Sequence, residues 1–182
     1  IGVHTTGAFS EYTALPEICA WRLSPKTPPD VGAVYEPFGI GDHSLTRHKV
    51  AGKRVLIAGA GPIGLFAVAV AKLSGAMKIF STDVSDDRLK MATRMGADVV
   101  LNPKKADVVK EVMQATDGFG VDIFVELSGN GEACQTGLKA LRRGGAVSLV
   151  GLFNGPVNLD LVNDVIYKEA TDGQCHRRAA PC

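Results

Sequence analysis

The chain has 182 residues, of which 46% are hydrophobic and 21% are charged, and its formal net charge is +1. This composition excludes a fibrous or disordered protein, and the balanced charge offers no broad basic surface to a nucleic acid or an anionic membrane. No apolar run reaches the roughly 18 to 20 residues of a membrane span, and four scattered cysteines without a CxxC pair favour a reducing, cytoplasmic compartment.

The first 29 residues combine short apolar stretches with prolines, a texture that predicts the strands and turns of a small β segment. From Asp30, a candidate N-cap, the pattern becomes helical, and Pro37, Gly39 and Gly41 are expected to break or kink this helix. The apolar side chains of the first segment are expected to cover apolar surface on the chain's own sheet or on a neighbouring copy. They are Phe9, Tyr12, Leu15, Ile18 and Trp21.

From residue 54 onward, apolar runs alternate with amphipathic stretches. The strands are continuous Val, Ile and Leu runs, which is typical of a sheet covered on both faces, and repeated βα units imply parallel strands with right-handed crossovers. The sequence therefore predicts an α/β fold with a doubly wound parallel Rossmann sheet. The predicted strands are 54–61, 78–84, 98–102, 121–129 and 146–153, and the predicted helices are 62–76, 85–97, 106–118 and 130–145.

The pattern stops before a sixth strand. Residues 156–171 begin like an approach to it, but residues 172–182 (DGQCHRRAAPC) are small, polar and basic, without a β-branched run. We therefore predict a sheet without its last strand and an aberrant, disordered tail over 172–182, and we interpret the change as a truncation or a shift of reading frame. The unpaired edge of the fifth strand predicts a homo-oligomer in which another chain covers that edge.

The first predicted strand runs into the turn GAGPIG. Gly59 lets the chain turn sharply off the strand, Gly61 removes a side chain where a pyrophosphate must approach, and Gly64 lets the next helix pack closely. Backbone N–H groups and the positive end of that helix would face the diphosphate. The candidate residues of this turn are Gly59, Gly61, Pro62, Ile63 and Gly64.

Asp83 lies at the end of the second predicted strand, nineteen residues after Gly64. A dinucleotide-binding fold places its ribose carboxylate at about this distance. A carboxylate here accepts hydrogen bonds from ribose hydroxyls and repels the 2′-phosphate of NADP, so the sequence favours NAD, while Arg88 would weaken that preference or flank the adenine. The alternative is that Asp83 caps the next helix, whose first turn contains Asp86 and Asp87.

Two functions from other classes fit parts of this pattern. A methyltransferase that uses S-adenosylmethionine also has a glycine loop after the first strand and an acid on the second. Its loop usually carries an acid just before the glycines, whereas Ile57 and Ala58 hold those positions here. The second alternative is a binding-only or structural module that folds without catalysing a reaction.

Several motifs follow one another in a family-specific order: GAFSEY, Pro16 to Trp21, EPFG, GAGPIG, STDVSDDRL, VELSGN and RRGGAVSLVGL. In these motifs the chain resembles the zinc-dependent medium-chain alcohol dehydrogenase family. The resemblance implies an NAD-binding Rossmann domain with a leading helix over 30–171 and a remnant of a GroES-like catalytic domain over 1–29. It also implies an oxidoreductase in which zinc polarises a secondary alcohol and hydride passes to NAD.

The resemblance implies roles for residues outside the glycine turn. Glu36 would be a ligand that enters or leaves the zinc sphere, and His43 would be an active-cleft histidine, although Ile40 departs from the family pattern. The alternative for His43 is an ordinary position on a helix surface. Loops at the carboxyl ends of the fourth and fifth strands would lie near the ribose and nicotinamide, and their candidate residues are Ser128, Gly129 and Leu152.

The family's catalytic cysteine, its His-Glu pair and its structural zinc lobe have no counterpart in these residues. A catalytic zinc needs three protein ligands, and Glu36 alone cannot hold one. We therefore predict a chain that binds NAD, binds no zinc and shows no turnover by itself. The substrate of the parent enzyme stays open between a small amino alcohol and a polyol.

Overall fold

The computed structural model describes residues 5–172, which divide into two compact units, 5–34 and 35–172. The division falls a few residues after the predicted boundary at residue 29. The first unit contains a short 3-10 helix, Glu17–Cys19, and α1, Pro29–Ala33, whose N-cap is Pro28 and not Asp30.

The strands predicted for this first unit are wrong over residues 5–29, where the structure has no strand. Four prolines in this stretch each lack the backbone N–H that a strand ladder requires. Phe9, Tyr12, Ile18 and Trp21 are exposed, and their pairing with a neighbouring copy stays a prediction.

The second unit is built on a parallel sheet with strand order β3-β2-β1-β4-β5-β6. This order confirms the predicted doubly wound Rossmann fold. None of the helices in the described part of the chain is long and apolar enough to cross a membrane. The strands are β1 Arg54–Ala58, β2 Lys78–Thr82, β3 Val99–Leu101, β4 Val121–Glu126, β5 Leu141–Leu149 and β6 Thr171–Asp172; the helices are α2 Tyr35–Thr46, α3 Pro62–Leu73, α4 Asp86–Met95, α5 Val108–Gln114 and α6 Gly131–Ala140, with a π-helical turn at Val162–Ile166.

The last predicted helix, 130–145, is too long, because α6 ends at Ala140 and β5 begins at the next residue. Lys168 explains this end: its Nζ donates to the carbonyl oxygens of Leu138, Lys139 and Leu141 at 2.7 to 2.8 Å. A cation on the last carbonyls of a helix satisfies them and complements the helix dipole. A contact between positions so far apart in the chain is not visible in the helical pattern.

The sequence predicted an empty sixth strand position. This prediction is wrong, because Thr171 and Asp172 pair with Ala146 and Val147 of β5. The N–H of Gly144 also donates to the carbonyl oxygen of Lys168, which anchors the chain beside β5 just before this strand. The prediction of a disordered tail over 172–182 is thus wrong at Asp172, which belongs to β6. Residues 173–182 lie outside the described residues.

The predicted break at Pro37, Gly39 and Gly41 does not occur, because all three lie inside α2. Pro37 is in the first turn, where a helix does not need its N–H. Gly41 is buried where α2 crosses α3: a Cβ at this position would lie 2.9 Å from the carbonyl oxygen of Ile63 and 3.0 Å from the nitrogen of Ala67. The glycine therefore permits close helix packing and does not end the helix.

Alternate residues of the central strands enter two apolar cores, one on each face of the sheet. Ile57, Ile79 and Val125 belong to the core that includes residues of α2, α3 and α4, whereas Phe80 and Phe124 belong to the core that includes residues of α5 and α6. A sheet buried on both faces needs apolar side chains in both directions, which explains the continuous apolar runs.

Ser81 is an exception in this sheet. It is fully buried on β2 beside Ile57 and Val100, and its hydroxyl has no hydrogen-bond partner among the described residues. A buried hydroxyl without a partner is unfavourable. We expect Ser81→Ala to raise the free energy of unfolding by about 1 kcal/mol in urea denaturation.

Ser148 provides the matched control for this substitution. It is also a fully buried strand serine, but its Oγ donates to the carbonyl oxygen of Ser44 at 2.9 Å and lies 2.8 Å from His48 Nε2. We expect Ser148→Ala to lower the free energy of unfolding by about 1 kcal/mol. A loss of stability in Ser81→Ala would contradict the assignment of an unsatisfied hydroxyl.

Candidate functional site

A cavity of about 630 Å³ opens at the carboxyl ends of β1, β2 and β4. It lies where the strand order passes from β1 to β4, and ligands of open α/β sheets bind at such a switch point. Its volume is that of a small-molecule site. The predicted cofactor residues that line it are Gly59, Gly61, Asp83, Arg88 and Ser128.

The three glycines of the turn have different surroundings. Gly59 has a φ of +98°, a conformation that favours glycine, and a Cβ there would lie 2.9 Å from the nitrogen of Ser128. A Cβ on Gly64 would penetrate the carbonyl group of Gly59, so only glycine fits at this point of the helix. A Cβ on Gly61 would meet no atom within 4 Å, because the residue faces open space at the cavity wall.

The first turn of α3 follows this open space. Gly61 is the N-cap without a side-chain hydrogen bond, and Pro62 takes the first helical position, where a missing N–H costs nothing. The N-terminus of the helix leaves backbone N–H groups, starting at Ile63, without partners in its own first turn. Together with the helix dipole they make a site for an anionic group.

Asp83 is held by the backbone at the cavity edge, with its side chain only 6% exposed. Its Oδ2 accepts the N–H of Ala60 at 2.9 Å and its Oδ1 accepts the N–H of Ser85 at 2.8 Å. Arg88 Nη1 lies 3.6 Å from Oδ2. Because a carboxylate has about four lone-pair positions, the two backbone donors leave acceptor capacity for hydroxyl groups beside the Arg88 guanidinium.

The alternative role for Asp83 as a helix cap belongs to a neighbouring residue. Ser85 is the N-cap of α4, and its Oγ accepts the N–H of Arg88 at 3.5 Å. Asp83 contacts this cap through the N–H of Ser85 and also lines the cavity. Asp86 and Asp87 lie in the first turn of α4, as predicted.

The sequence did not indicate the part of the cavity wall that follows β3. Asn102, just after β3, donates to the carbonyl oxygen of Val84 at 3.1 Å and to Asp86 Oδ1 at 2.8 Å, which holds the loop after β3 against the loop after β2. The sequence offered one signal for this wall, namely that the stretch follows a predicted strand. The carboxyl ends of parallel strands meet at one edge of the sheet. Further lining residues are Pro103, Lys104, Asn130, Glu132 and Thr136.

Gly129 and Leu152 are adjacent but are not among the lining residues. Gly129 has a φ of +65°, and a Cβ there would penetrate the carbonyl group of Leu152. The side chain of Leu152 is 81% exposed. The two loops that follow β4 and β5 are therefore packed together, next to the cavity wall formed by Ser128.

Glu126, the last residue of β4, was also missed. Its side chain is fully buried and accepts the N–H groups of Ser128 and Gly129 at 2.8 and 3.0 Å, and the hydroxyl of Ser128. Burial first, and then the charge of Glu126, raise the pKa of the nearby Cys134 thiol to about 11. Cys134 is therefore protonated at neutral pH and is no candidate nucleophile.

Glu36 and His43 lie apart from this cavity. Both are exposed on α2, Glu36 in the first turn and His43 in the last, about 10 Å apart along the helix axis. Within residues 5–172 no group of three or more His, Cys, Asp or Glu side chains could hold a metal ion. The zinc-ligand role of Glu36 and the active-cleft role of His43 stay predictions.

Comparison with known proteins identifies relatives of this chain. Residues 62–177 match the family described as zinc-binding dehydrogenase. The chain is similar to the L-threonine 3-dehydrogenase of Pyrococcus furiosus, with 45% identity over 170 residues, which are 93% of this chain and 49% of that protein. It thus spans about half the length of the curated relatives it matches.

Solved structures give the same picture. A zinc-binding dehydrogenase from Sinorhizobium meliloti bound to NADP has a TM-score of 0.84 and 28% identity, covering 94% of this chain and 52% of that chain. L-Idonate 5-dehydrogenase from Escherichia coli has a TM-score of 0.73 and 31% identity, covering 82% of this chain and 42% of that chain.

Proposed function

Because the chain belongs to the zinc-binding dehydrogenase family, we propose that its second unit binds NAD for an oxidoreductase that converts a secondary alcohol to a ketone. One observation supports this most: the Asp83 carboxylate, with acceptor capacity beyond its two backbone donors, and the open backbone at Gly61 line the same cavity. Bound NAD would accept the hydride. The chain's own residues bind and orient it.

Each part of the dinucleotide has a proposed partner. The diphosphate lies over Gly61 at the N-terminus of α3, where a backbone without a side chain permits close approach. The adenosine ribose donates its hydroxyls to Asp83, and Arg88 flanks the adenine. We propose NAD over NADP because Asp83 would repel a 2′-phosphate, although Arg88 and Lys104 at the same cavity reduce this preference.

For the parent enzyme we propose a small amino alcohol, L-threonine, as the substrate. The motifs EPF and VELSGN and the 45% identity to an L-threonine 3-dehydrogenase support this choice. A polyol is the alternative, because L-idonate 5-dehydrogenase has a similar structure. We further propose that residues 1–29 belong to a catalytic domain, that Glu36 and His43 on α2 face the substrate in the parent enzyme, and that the chain is a homo-oligomer.

Calorimetric titration of the full chain with NAD and NADP tests the cofactor proposal. We expect saturable binding of NAD, weaker binding of NADP, and no NADH absorbance when threonine, NAD and zinc are added to this chain alone. Absence of NAD binding would refute the proposed function. Turnover would refute the expectation of an inactive chain.

Asp83→Ala is expected to weaken NAD binding by about 1 to 3 kcal/mol, because two ribose hydroxyls lose their acceptor. Asp87→Ala is the matched control. This carboxylate lies only four positions after Asp83, is 89% exposed on α4 and pairs with Lys90. We expect the control to bind NAD like the unmodified chain. Equal affinities in both variants would show that Asp83 is not the ribose partner.

A further inference from the structure

Glu126 is a buried carboxylate with no cation beside it. Its side chain is 0% exposed, and in the part of the chain that the structure describes no Lys, Arg or His forms an ion pair with it. Among the described residues its side-chain donors come from Ser128 and Gly129, the second and third residues after β4: the N–H and hydroxyl of Ser128, and the N–H of Gly129, which lies 3.0 Å from Oε1 and 3.2 Å from Oε2. The Glu126 carboxylate is thus hydrogen-bonded by the loop that follows its own strand.

The backbone of Glu126 also joins this loop to the next strand. Its carbonyl oxygen accepts the N–H groups of Val150 and Gly151, both at 3.0 Å. Gly151 lies so close to the Glu126 carboxylate and to Gly129 that a Cβ would penetrate both. Glu126 is therefore the common partner of the loops after β4 and β5.

The same loop touches the glycine turn. A Cβ on Gly59 would lie 2.9 Å from the nitrogen of Ser128, the atom that donates to Glu126 at 2.8 Å. The position of Ser128 thus sets how the loop after β4 meets the turn after β1. Ser128 also lines the cavity.

Physical chemistry makes this arrangement rigid. A buried carboxylate without donors is strongly unfavourable, so the loop cannot move away from Glu126 without leaving the charge unsatisfied. The first three strands of a doubly wound sheet bind one nucleotide of a dinucleotide, and the strands beyond the switch point bind the other. Glu126 holds the loops on the second side, whereas Asp83 lies on the first.

We propose that Glu126 is a positioning residue: it holds the Ser128–Gly129 loop in the shape that receives the second nucleotide of NAD, and so controls affinity for the dinucleotide but not for its AMP half. The inference rests on the proposed function, because it assumes that the cavity binds NAD. In this role Glu126 acts through the Ser128–Gly129 loop and not through its own contact with the ligand.

The test is the ratio of NAD affinity to AMP affinity, measured by calorimetry on the full chain and on Glu126→Gln. Glutamine has the same shape, and its oxygen can replace Oε1, but its amide nitrogen would then face the N–H of Gly129. We expect NAD to bind about tenfold more weakly, the size of one lost hydrogen bond, and AMP to bind unchanged.

Asp122→Asn is the matched control, because it makes the same chemical change in another buried carboxylate of β4, at the amino end of the strand. We expect it to lower stability and to leave the ratio of NAD to AMP affinity unchanged. Ser128→Ala, which removes only the hydroxyl donor, is expected to lower the ratio by about two- to threefold and replaces Glu126→Gln if that variant does not fold.

An unchanged ratio in Glu126→Gln, or in Ser128→Ala if the first variant is unfolded, would overturn the positioning role while the unmodified chain still binds NAD. Equal weakening of NAD and AMP would also overturn it, because a general loss of structure acts on both ligands. Failure of the unmodified chain to bind either ligand would instead refute the proposed function, and this inference with it.

Discussion

Gly64→Ala is expected to lower the free energy of unfolding by about 3 kcal/mol or more. The added Cβ would penetrate the carbonyl group of Gly59, and both groups belong to backbone that cannot rotate away as a flexible side chain would. Relief requires α3 to move off the turn, which also breaks its packing against α2. Urea denaturation followed by circular dichroism measures the loss.

Gly61→Ala is the matched control, three residues earlier in the same motif. Its φ of −71° suits alanine, and the added methyl group would meet no atom within 4 Å, so stability should not change. The methyl group would occupy the space proposed for the diphosphate, and we expect NAD affinity to fall by about tenfold. A Gly64→Ala variant as stable as the unmodified chain would contradict the observed packing, and full NAD affinity in Gly61→Ala would contradict the diphosphate site.

Asp122 is expected to make the fold sensitive to acid. Its side chain, 8% exposed, accepts the backbone N–H and Nε of Arg54, both at 2.9 Å, and Nε of Arg142 at 2.6 Å. Burial alone would raise the pKa of Asp122, but these hydrogen bonds outweigh burial and lower the pKa from 3.8 to about 2. Because the folded pKa is the lower one, the stabilisation is present above pH 3.8 and is lost as the pH falls through 2.

This shift corresponds to about 2 kcal/mol at neutral pH. We expect Asp122→Asn to be less stable at pH 7 by about 2 to 3 kcal/mol, since it also leaves Arg54 without its carboxylate. Its stability should then fall less steeply than that of the unmodified chain between pH 4 and pH 2. Parallel pH profiles of the two proteins in urea denaturation would refute the assignment.

The fold was largely predictable because each element carries its own signal. Continuous apolar runs predicted five of the strands, and the repeated βα pattern predicted their parallel order. Two of the errors come from contacts between distant residues. The end of α6 depends on Lys168, and the uninterrupted α2 depends on Gly41 packing against α3, neither of which a local pattern contains.

The site was predictable where a motif has a fixed spacing. Gly59, Gly61 and Asp83 line the cavity because the turn and the second strand end meet at a geometry common to such sheets. Glu126 was missed because a charged residue at a strand end is ordinarily exposed, and only the structure reveals that it is fully buried. The lining residues after β3 and in α6 could not be ranked without knowing how their loops approach one another.

The crossing of α2 and α3 at Gly41 has a mechanical consequence. Most helix pairs touch through interlocking side chains, whose rotamer changes absorb small displacements, but at Gly41 a backbone meets a backbone and leaves nothing to adjust. We expect the two helices to translate together. A ligand that draws the first turn of α3 toward itself would therefore move α2 in the same direction. The exposed side chains of Glu36 and His43 would move with the helix.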